Sequence, residues 1–373
     1  MIYFDSTATT KPLKEVLDTY NKINEEYWYN PSGMYKGAIV ANSLIEKATA
    51  QIEKILGLNN KTIYYTSGAT EANNMAIMGI CLPYIDKGKH IITTYIEHPS
   101  VYNVFKKLET LGFNVTYLKC ENGVVDLEEL KSSLTKDTIL VSTMWVNNII
   151  GSINPIKDII EVVKKYSHAK LHVDAVQGMT KIKADFNYND IDLISMTFHK
   201  IEGLKGMGML ISNKGIQLTP ILKGGHQQKE IRPGTLDASL IVSSSKALRI
   251  AMENTDIHFN YVQKLYNYLI QKLECLDFIK INKTNALYSP YVLSISIDNV
   301  KGETAMHYLE DANIYVGIGS ACNEKIETIE RAIYAITKDN VRAINMIRIS
   351  LSHHNTYEEI DMLVKNLESI RNL

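Results

Sequence analysis

Apolar residues along this chain follow two spacings, one typical of amphipathic helices and one typical of buried strands. Residues 36–56 show the helical spacing, and Gly57 marks the predicted end of that helix. The short apolar run TIYYT follows and indicates a buried strand. The residues assigned to the buried face of the helix are Ile39, Val40, Leu44, Ile45, Ala48, Ile52 and Ile55.

The same alternation continues along most of the chain. Further apolar runs are HIITT, NVTYLK, TILVSTMW, LHVDA, DLISMT and GMGMLIS. Helical patterns lie between them, at residues 99–111, 127–134 and 156–166. Strands that alternate with helices predict an α/β fold, with a mainly parallel sheet that helices cover on both faces.

The pattern changes near residue 250. Two long amphipathic stretches, 235–252 and 259–276, precede the apolar runs YVLSISI, IYVGI and MIRISL. The last helix is predicted to begin at Thr356, because Glu359 completes a capping box with it.

The length of 373 residues suits two domains. We expect a large α/β domain over residues 13–250 and a smaller α+β domain made of residues 1–12 and 251–373. The chain contains neither internal repeats nor a low-complexity linker.

Composition narrows the class of protein. Hydrophobic residues make up 45% of the chain and charged residues 22%, which is the balance of an ordinary soluble protein. The formal net charge is -1, so we expect no direct binding of nucleic acid. The segment MIYFDSTATTKP has neither a basic leader nor an apolar core, and no run approaches the roughly 20 apolar residues of a membrane span. These features predict a cytoplasmic protein without membrane contact.

Four cysteines are present, and they lie far apart without the spacing of metal ligands. They are Cys81, Cys120, Cys275 and Cys322. Reduced thiols, without disulfides or a metal site, are expected. Before context is considered, each is more typical of an inert buried residue than of a reactive one.

The segment Thr66-Ser-Gly-Ala-Thr-Glu71 lies between a predicted strand and a predicted helix. The backbone N–H groups of Ala69 and Thr70 would be free at the helix N-terminus, where donors and helix dipole stabilise a phosphate. The Thr70 hydroxyl adds a donor. Taken alone, these six residues are more typical of a capped turn without a ligand.

Asp174 in LHVDAVQG and Lys200 in TFHK each follow an apolar strand, at the sheet edge where open α/β sheets bind ligands. A buried acid there needs a partner, such as a protonated pyridine nitrogen. A lysine that loses its proton there can form a Schiff base. Taken singly, Asp174 is at least as typical of a turn or helix cap as of a ligand site. Lys200 alone is more typical of a solvated surface group. Together with the phosphate motif they predict an enzyme that uses pyridoxal 5'-phosphate.

A long, ordered set of segments carries a family resemblance. The segments are FDSTATT, YNPSG, YTSGATEANN, IEHPSV, VSTMWVNN, LHVDAVQG, FHKIEGLKGMG, IRPGT, GSAC and IRISLSHHNTYEEID. They resemble the cysteine desulfurases of the class V aminotransferase family. The resemblance implies the fold type I architecture of pyridoxal-phosphate-dependent transferases, with a mainly parallel seven-stranded sheet in the large domain and a smaller α+β domain.

The resemblance also implies roles at matching positions. Lys200 would hold the cofactor, and His98 would stack over the cofactor ring and move protons. Asn148 would contact the ring and the substrate, and Arg348 would bind the substrate carboxylate. The other residues implied around the ring and phosphate are Ala69, Thr70, Asp174, Gln177, Thr197 and His199. Thr235 would reach the phosphate of a neighbouring subunit, which implies a homodimer.

Each of these roles has a simpler alternative. His98 also fits a helix cap, Asn148 a turn, and Arg348 a surface ion pair.

Cys322, in GIGSAC, determines the implied reaction. In the family this cysteine takes sulfur from L-cysteine as a persulfide, releases L-alanine and passes the sulfur to an acceptor protein. The position of Cys322 resembles the long-loop group that serves iron–sulfur cluster and tRNA sulfuration pathways. Two alternatives stay open: a selenocysteine lyase or other class V enzyme, which needs no loop thiol, and a degenerate scaffold without catalysis.

Overall fold

The computed structural model describes residues 1–85, 87, 89–319 and 329–371. Within these ranges the strands are β1 (Ile2–Phe4), β2 (Lys61–Thr66), β3 (His90–Thr94), β4 (Asn114–Leu118), β5 (Thr138–Met144), β6 (Lys170–Asp174), β7 (Leu193–Thr197), β8 (Gly208–Asn213), β9 (Ile279–Ile281), β10 (Val292–Ile297), β11 (Ile314–Val316) and β12 (Met346–Ser350).

The α-helices in the same ranges are α1 (Lys14–Glu26), α2 (Lys36–Leu56), α3 (Ala69–Cys81), α4 (Pro99–Glu109), α5 (Leu127–Ser133), α6 (Ile156–Tyr166), α7 (Ala238–Glu253), α8 (Thr255–Leu273), α9 (Gly302–Asp311), α10 (Arg331–Thr337), α11 (Asn340–Ile344) and α12 (Tyr357–Ile370). None of the helices in these described ranges is long and apolar enough to cross a membrane. The capping box predicted for the last helix is confirmed, with Thr356 and Glu359 bonded reciprocally at the start of α12.

Seven strands form the large sheet, in the order β2-β8-β7-β6-β5-β3-β4. β8 runs antiparallel to both of its neighbours, and the other adjacent pairs are parallel. The predicted α/β fold with a mainly parallel sheet is therefore confirmed. Because β2, β3, β5, β6 and β7 run in the same direction, their carboxyl ends meet at one edge of the sheet.

Two apolar layers cover this sheet, one on each face. Neighbouring strand residues alternate between them, so that Ile92 belongs to one layer and Ile91 to the other. Helices α2, α6 and α7 pack in the first layer, and α3 and α4 pack in the second. The strands are buried on both faces, which explains their nearly continuous apolar runs.

The remaining strands form two smaller sheets. β10 lies between β9 and β12 and is antiparallel to both, while β1 pairs with β11 in parallel. A separate apolar core joins these strands to α8, α9 and α12, and it includes both Phe4 and Leu367. The first strand thus packs with the C-terminal part of the chain. The domain boundaries at residues 12 and 250 stay a prediction.

One prediction about α2 is wrong. Ile39 is 58% exposed and Val40 is 37% exposed, whereas Ala38 and Ala41 are buried. The buried stripe recurs every three or four residues from Ala38 to Leu56. Ile39 and Val40 lie between Ala38 and Ala41 in sequence, each one residue away from that stripe, and so they project from another side of the helix.

Candidate active site

The carboxyl ends of the parallel strands open into a cavity of about 820 Å³. Most of the predicted site residues meet there, because each lies at the end of a strand of the large sheet, within four residues after one, or on β12. Those that line the cavity are Ala69, Thr70, His98, Asn148, Asp174, Gln177, Thr197, His199, Lys200 and Arg348. Segments that are far apart in sequence therefore form one site.

The turn between β2 and α3 presents a helix N-terminus to this cavity. The first N–H groups of a helix have no partners within the helix, and those of α3 begin at Ala69. The N–H of Ser67, two residues before the helix, donates to Glu71 Oε2 at 2.6 Å. The close packing under this turn depends on Gly208, since an added Cβ would lie 2.5 Å from the carbonyl carbon of Gly68. The arrangement provides donors for an anion.

Asp174 ends β6 and is buried, with 6% of its surface exposed. Asn73 Nδ2 donates to its Oδ2 at 2.8 Å, and the Val176 N–H donates to its Oδ1 at 3.0 Å. Both donors are neutral amides. The buried carboxylate is oriented by them, and its negative charge is available to neutralise a cation in the cavity.

Lys200 follows β7 and is largely shielded from solvent. The pKa of Lys200 is lowered to about 8, chiefly by burial and then by the nearby Arg348 guanidinium, while Asp5 and Asp174 oppose the shift. The Nζ group donates to the carbonyl oxygen of Thr7 at 2.7 Å and to that of Ala8. A neutral amine uses both of its N–H bonds in this way and keeps its lone pair free. Lys200 is therefore suited to act as a nucleophile or a base.

His98 is linked to Asp174 through two side chains that sequence analysis did not identify. The Nδ1 atom of His98 accepts from the Ser100 N–H at 3.1 Å and lies 2.7 Å from Ser100 Oγ. Asn73 Nδ2 donates to Ser100 Oγ at 2.9 Å, as well as to Asp174. Since Nδ1 is an acceptor, the Ser100 hydroxyl donates to it.

Burial lowers the pKa of His98, although Asp174 opposes the shift. The imidazole is therefore neutral at physiological pH, and its proton lies on Nε2 because Nδ1 accepts two hydrogen bonds. His98 is also the N-cap of α4, as the simpler alternative for this residue requires. His98 can cap α4 through Nδ1 and still line the cavity.

Arg348 projects from β12 and pairs with Asp5, whose Oδ1 lies 2.7 Å from Nη2. Its Nη1 donates to the carbonyl oxygen of Asn148 at 3.1 Å. Among the described residues, the buried Nε has no hydrogen-bond partner. Gly317 passes so close that an added Cβ would lie 2.7 Å from both Nη2 and Asp5 Oδ1. The guanidinium is fixed in place and keeps a donor for a further acceptor.

Glu97 is a second buried acid that sequence analysis did not identify. The pKa of Glu97 is raised to about 8, chiefly by burial and also by the nearby Asp174, although hydrogen bonds from Thr94 and Met144 oppose the shift. Its Oε1 accepts from Thr94 Oγ1 at 2.7 Å and from the Met144 N–H at 3.0 Å. A protonated carboxyl there links the carboxyl ends of β3 and β5. An acid that closely follows the predicted strand HIITT was the available signal.

The remaining predicted residues are held by local hydrogen bonds. Gln177 donates to the Thr7 carbonyl at 3.1 Å and accepts from the buried Lys181 at 2.6 Å. Thr197 Oγ1 donates to the Met207 carbonyl at 3.0 Å. Thr235 is exposed and, unlike the others, is not in the lining of the cavity of its own chain.

The cysteines differ in exposure. Cys81 and Cys120 are buried, and burial raises the pKa of both thiols, that of Cys81 to about 12. Cys275 is exposed near the end of α8. Cys322 lies outside the described residues, but Gly319 and Glu330, which lie near it on either side in sequence, both line the cavity.

These features fit pyridoxal 5'-phosphate. The N-terminus of α3 offers donors for a phosphate, the buried Asp174 carboxylate matches a protonated ring nitrogen, and Lys200 offers an amine with a free lone pair. The three groups line one cavity, which is large enough for a cofactor and a small substrate.

Comparisons with known proteins identify the family of this chain. The family model for aminotransferase class-V matches residues 2–363. A NifS/IcsS protein homolog of Lactobacillus delbrueckii subsp. bulgaricus is 38% identical, over 99% of this chain and 97% of its own length. A cysteine desulfurase IscS of Dictyoglomus turgidum is 34% identical, over 99% of this chain and 94% of its own.

A solved structure of a NifS-like protein superposes on the whole chain. The TM-score is 0.92, the identity is 34%, and the match covers 100% of this chain and 99% of that structure. The predicted fold type I architecture is thereby confirmed, together with dependence on pyridoxal phosphate. On the family model and on relatives matched over nearly their full length, this chain belongs to the class-V aminotransferase family.

Proposed function

We propose that this protein is a cysteine desulfurase, which converts L-cysteine to L-alanine and captures the sulfur on Cys322. The observation that carries the proposal is the meeting of Lys200, Asp174 and His98 in one cavity. Relatives with 34–38% identity over nearly the whole chain, one of which is named a cysteine desulfurase, support it.

Pyridoxal phosphate, when bound, draws electron density away from the α-carbon of an amino acid. Ala69 and Thr70 would bind its phosphate at the start of α3, with Thr197 and His199 beside them. Asp174 would neutralise its ring nitrogen, and His98 and Gln177 would lie against the ring. Lys200 would hold it, and Asn148 would contact it on the substrate side.

Lys200 and His98 are the groups that would move protons. A neutral Lys200 amine removes the α-proton of the substrate, and its pKa of about 8 lets it accept that proton near neutral pH. The neutral His98 carries its proton on Nε2 and can donate it. Ser100 fixes this tautomer from the other ring nitrogen.

Arg348 would hold the substrate through its carboxylate. The guanidinium is already oriented by Asp5 and by the Asn148 carbonyl. The amino acid must therefore use the Nε side of the group or displace Asp5. Arg348 and Lys200 line the same cavity, so a substrate held in either mode would share that cavity with the Lys200 amine.

Cys322 would accept the sulfur. Its thiolate attacks the sulfur of the substrate, the substrate C–S bond breaks, and a persulfide forms while the remaining three-carbon fragment is protonated to alanine. Of the three described cysteines, two are buried with raised thiol pKa values, and the third, Cys275, is exposed just after the end of α8. The sulfur then passes to an acceptor protein, which we infer from the long-loop resemblance serves iron–sulfur or tRNA sulfuration.

The active form is proposed to be a homodimer. Thr235 is exposed on its own chain and would complete the phosphate site of the partner. Several large apolar side chains between residues 28 and 40 are also exposed, as expected of a surface that another subunit covers. They are Trp28, Met34, Tyr35, Ile39 and Val40.

The hydrogen bonds of Asn73 lead to a prediction about cofactor affinity. Asn73→Ala removes the donor to Asp174, and the loss of a hydrogen bond to a charged group is worth about 1.5–3 kcal/mol. The dissociation constant for pyridoxal phosphate should rise by roughly 10- to 100-fold. Titration of the apoprotein with the cofactor, followed by absorbance, measures it.

Asn74→Ala is the matched control. The neighbouring Asn74 donates to the Thr70 carbonyl in an exposed position, where water can replace the amide. Its variant should bind the cofactor within about twofold of the unchanged protein. Equal losses in the two variants would contradict the assigned role of Asn73.

The lowered pKa of Lys200 predicts how reconstitution depends on pH. Only the neutral amine combines with the aldehyde, so the rate of cofactor uptake by the apoprotein should rise about tenfold per pH unit below 8. It should level off above pH 8, because the pKa of Lys200 is about 8 rather than the ordinary 10.5. Stopped-flow absorbance across this range tests it, and a rate that still climbs steeply above pH 9 would contradict it.

The direct test of the function uses the purified holoenzyme with L-cysteine and a reducing thiol. Alanine and sulfide should appear in equal amounts. Turnover of selenocysteine without turnover of cysteine would instead indicate a selenocysteine lyase. A protein that binds the cofactor and turns over neither amino acid would act as a scaffold, and either result would overturn the proposal.

A further inference from the structure

A cluster of potential metal ligands lies outside the cavity described above. It is formed by Glu202, two residues after Lys200, and by His353 and His354 in the turn after β12. Glu202 Oε1 lies 3.6 Å from His353 Nε2 and makes a hydrogen bond with His354 Nε2. The three ligand atoms all lie within 4.8 Å of one another. We propose that these three side chains bind a divalent transition-metal ion of the Zn²⁺ type.

The spacing of the three atoms suits such an ion. Zn²⁺ binds imidazole and carboxylate at about 2.0–2.2 Å, so two ligands of a tetrahedral site lie roughly 3.3 Å apart. The 3.6 Å separation of Glu202 Oε1 and His353 Nε2 is close to that edge length, and an ion would replace the direct contact of Glu202 with His354. Two imidazoles and one carboxylate favour zinc or iron over magnesium or calcium. Three protein ligands leave a fourth position open.

Glu202 is held in the orientation that the site requires. Its side chain is 12% exposed, and its backbone has a left-handed φ of 62°. The Glu202 N–H donates to Thr10 Oγ1 at 2.8 Å, and its carbonyl accepts from the Leu13 N–H at 3.0 Å. These contacts from the N-terminal segment fix an unusual backbone conformation, which positions the carboxylate before any ion binds.

The two histidines lie on an equally well-fixed turn. Asn355 Oδ1 accepts from the Ser352 N–H at 2.8 Å, and Asn355 Nδ2 donates to the Tyr3 carbonyl at 3.1 Å. The His258 ring from α8 stacks on the ring of His353, with centroids 3.6 Å apart and planes 8° apart. His258 is not itself one of the three ligands, but its stacking holds the His353 side chain in its rotamer.

The cluster is accessible and lies at a junction. It lines a second cavity of about 1180 Å³, and the His354 side chain is 61% exposed, which gives an ion a route of entry. Glu202 belongs to the loop of Lys200, whereas the histidines follow the strand of Arg348. A bound ion would therefore tie together the two segments that carry these residues and should stabilise the folded holoenzyme by mass action.

The test measures zinc binding by holoenzyme carrying Cys322→Ser, which removes a thiol that could itself bind the metal. After dialysis against a chelator, the protein competes with a chromophoric chelator for Zn²⁺ at neutral pH. We expect one tight site per chain. Glu202→Gln and His353→Ala should each weaken it by at least about tenfold, by loss of one ligand.

His226→Ala in the same background is the control. His226 forms an exposed pair with Glu230 at 2.6 Å, so it reports the adventitious binding that any histidine–carboxylate pair shows. Its variant should bind zinc unchanged. All variants are compared at equal cofactor absorbance, so that only folded holoenzyme is counted. The proposal is wrong if the parent protein does not bind stoichiometric zinc. It is also wrong if Glu202→Gln and His353→Ala bind zinc as tightly as the parent does. In either case the cluster would be only an ion pair.

Discussion

Lys200→Met is expected to abolish alanine formation from L-cysteine, with a loss of roughly 10³-fold or more. The amine holds the cofactor and removes the α-proton in the proposed mechanism, so the variant loses both functions. Methionine has a similar volume and leaves the surrounding packing intact. The variant should also lack the visible absorbance of a lysine-bound cofactor.

Lys61→Met is a closely matched control for this experiment. Lys61 is likewise buried, burial lowers its pKa to about 8, and its Nζ donates to the Ile191 carbonyl. It lies at the start of β2, whereas the cavity lies beyond the opposite end of that strand. The control should keep its cofactor and its activity per bound cofactor. Similar losses in both variants would show that burial of a lysine, rather than its place in the site, explains the result.

Cys322→Ser is expected to remove sulfur transfer while leaving the cofactor site intact. Serine cannot form a persulfide, so alanine formation without an added thiol should fall to about 1% or less. Cofactor absorbance and the spectral response to L-cysteine should be retained, because Lys200 and Asp174 are unchanged. Mass spectrometry should find the persulfide on the unchanged protein and not on the variant.

Cys275→Ser serves as the control for thiol chemistry in general. Cys275 is exposed and donates to the Gln271 carbonyl, so its thiol is open to nonspecific sulfur uptake. Its variant should form the Cys322 persulfide at the rate of the unchanged protein. Sulfur transfer at a normal rate by Cys322→Ser would show that another group accepts the sulfur.

The strand-end residues could be predicted because their position is a local property of the sequence. Asp174 and Lys200 each follow a short apolar run, and parallel strands bring their carboxyl ends to one sheet edge. The helix start at Ala69 is equally local. The sequence positions of Ala69, Asp174 and Lys200 therefore predict a ligand site without any knowledge of the contacts between their segments.

Residues that depend on contacts between distant segments could not be predicted in this way. Asn73 bonds Ser100 across 27 positions and Asp174 across 101 positions, and nothing in the local pattern distinguishes it from Asn74. Glu202 meets His354 across 152 positions. The buried face of α2 was misjudged for a related reason, since burial follows the surface against which a helix packs and not the apolar residues alone.

The central group of the proposed mechanism is the amine that holds the cofactor, which we place on Lys200, in the same cavity as the Asp174 carboxylate. Borohydride reduction of the holoenzyme, followed by peptide mapping, identifies that amine directly, because reduction makes the link to the cofactor permanent. We expect the pyridoxyl group on Lys200. The assignment would be contradicted if the pyridoxyl group were found on Lys181 or Lys205, which lie near the same site. Recovery of unlabelled peptides alone would also contradict it.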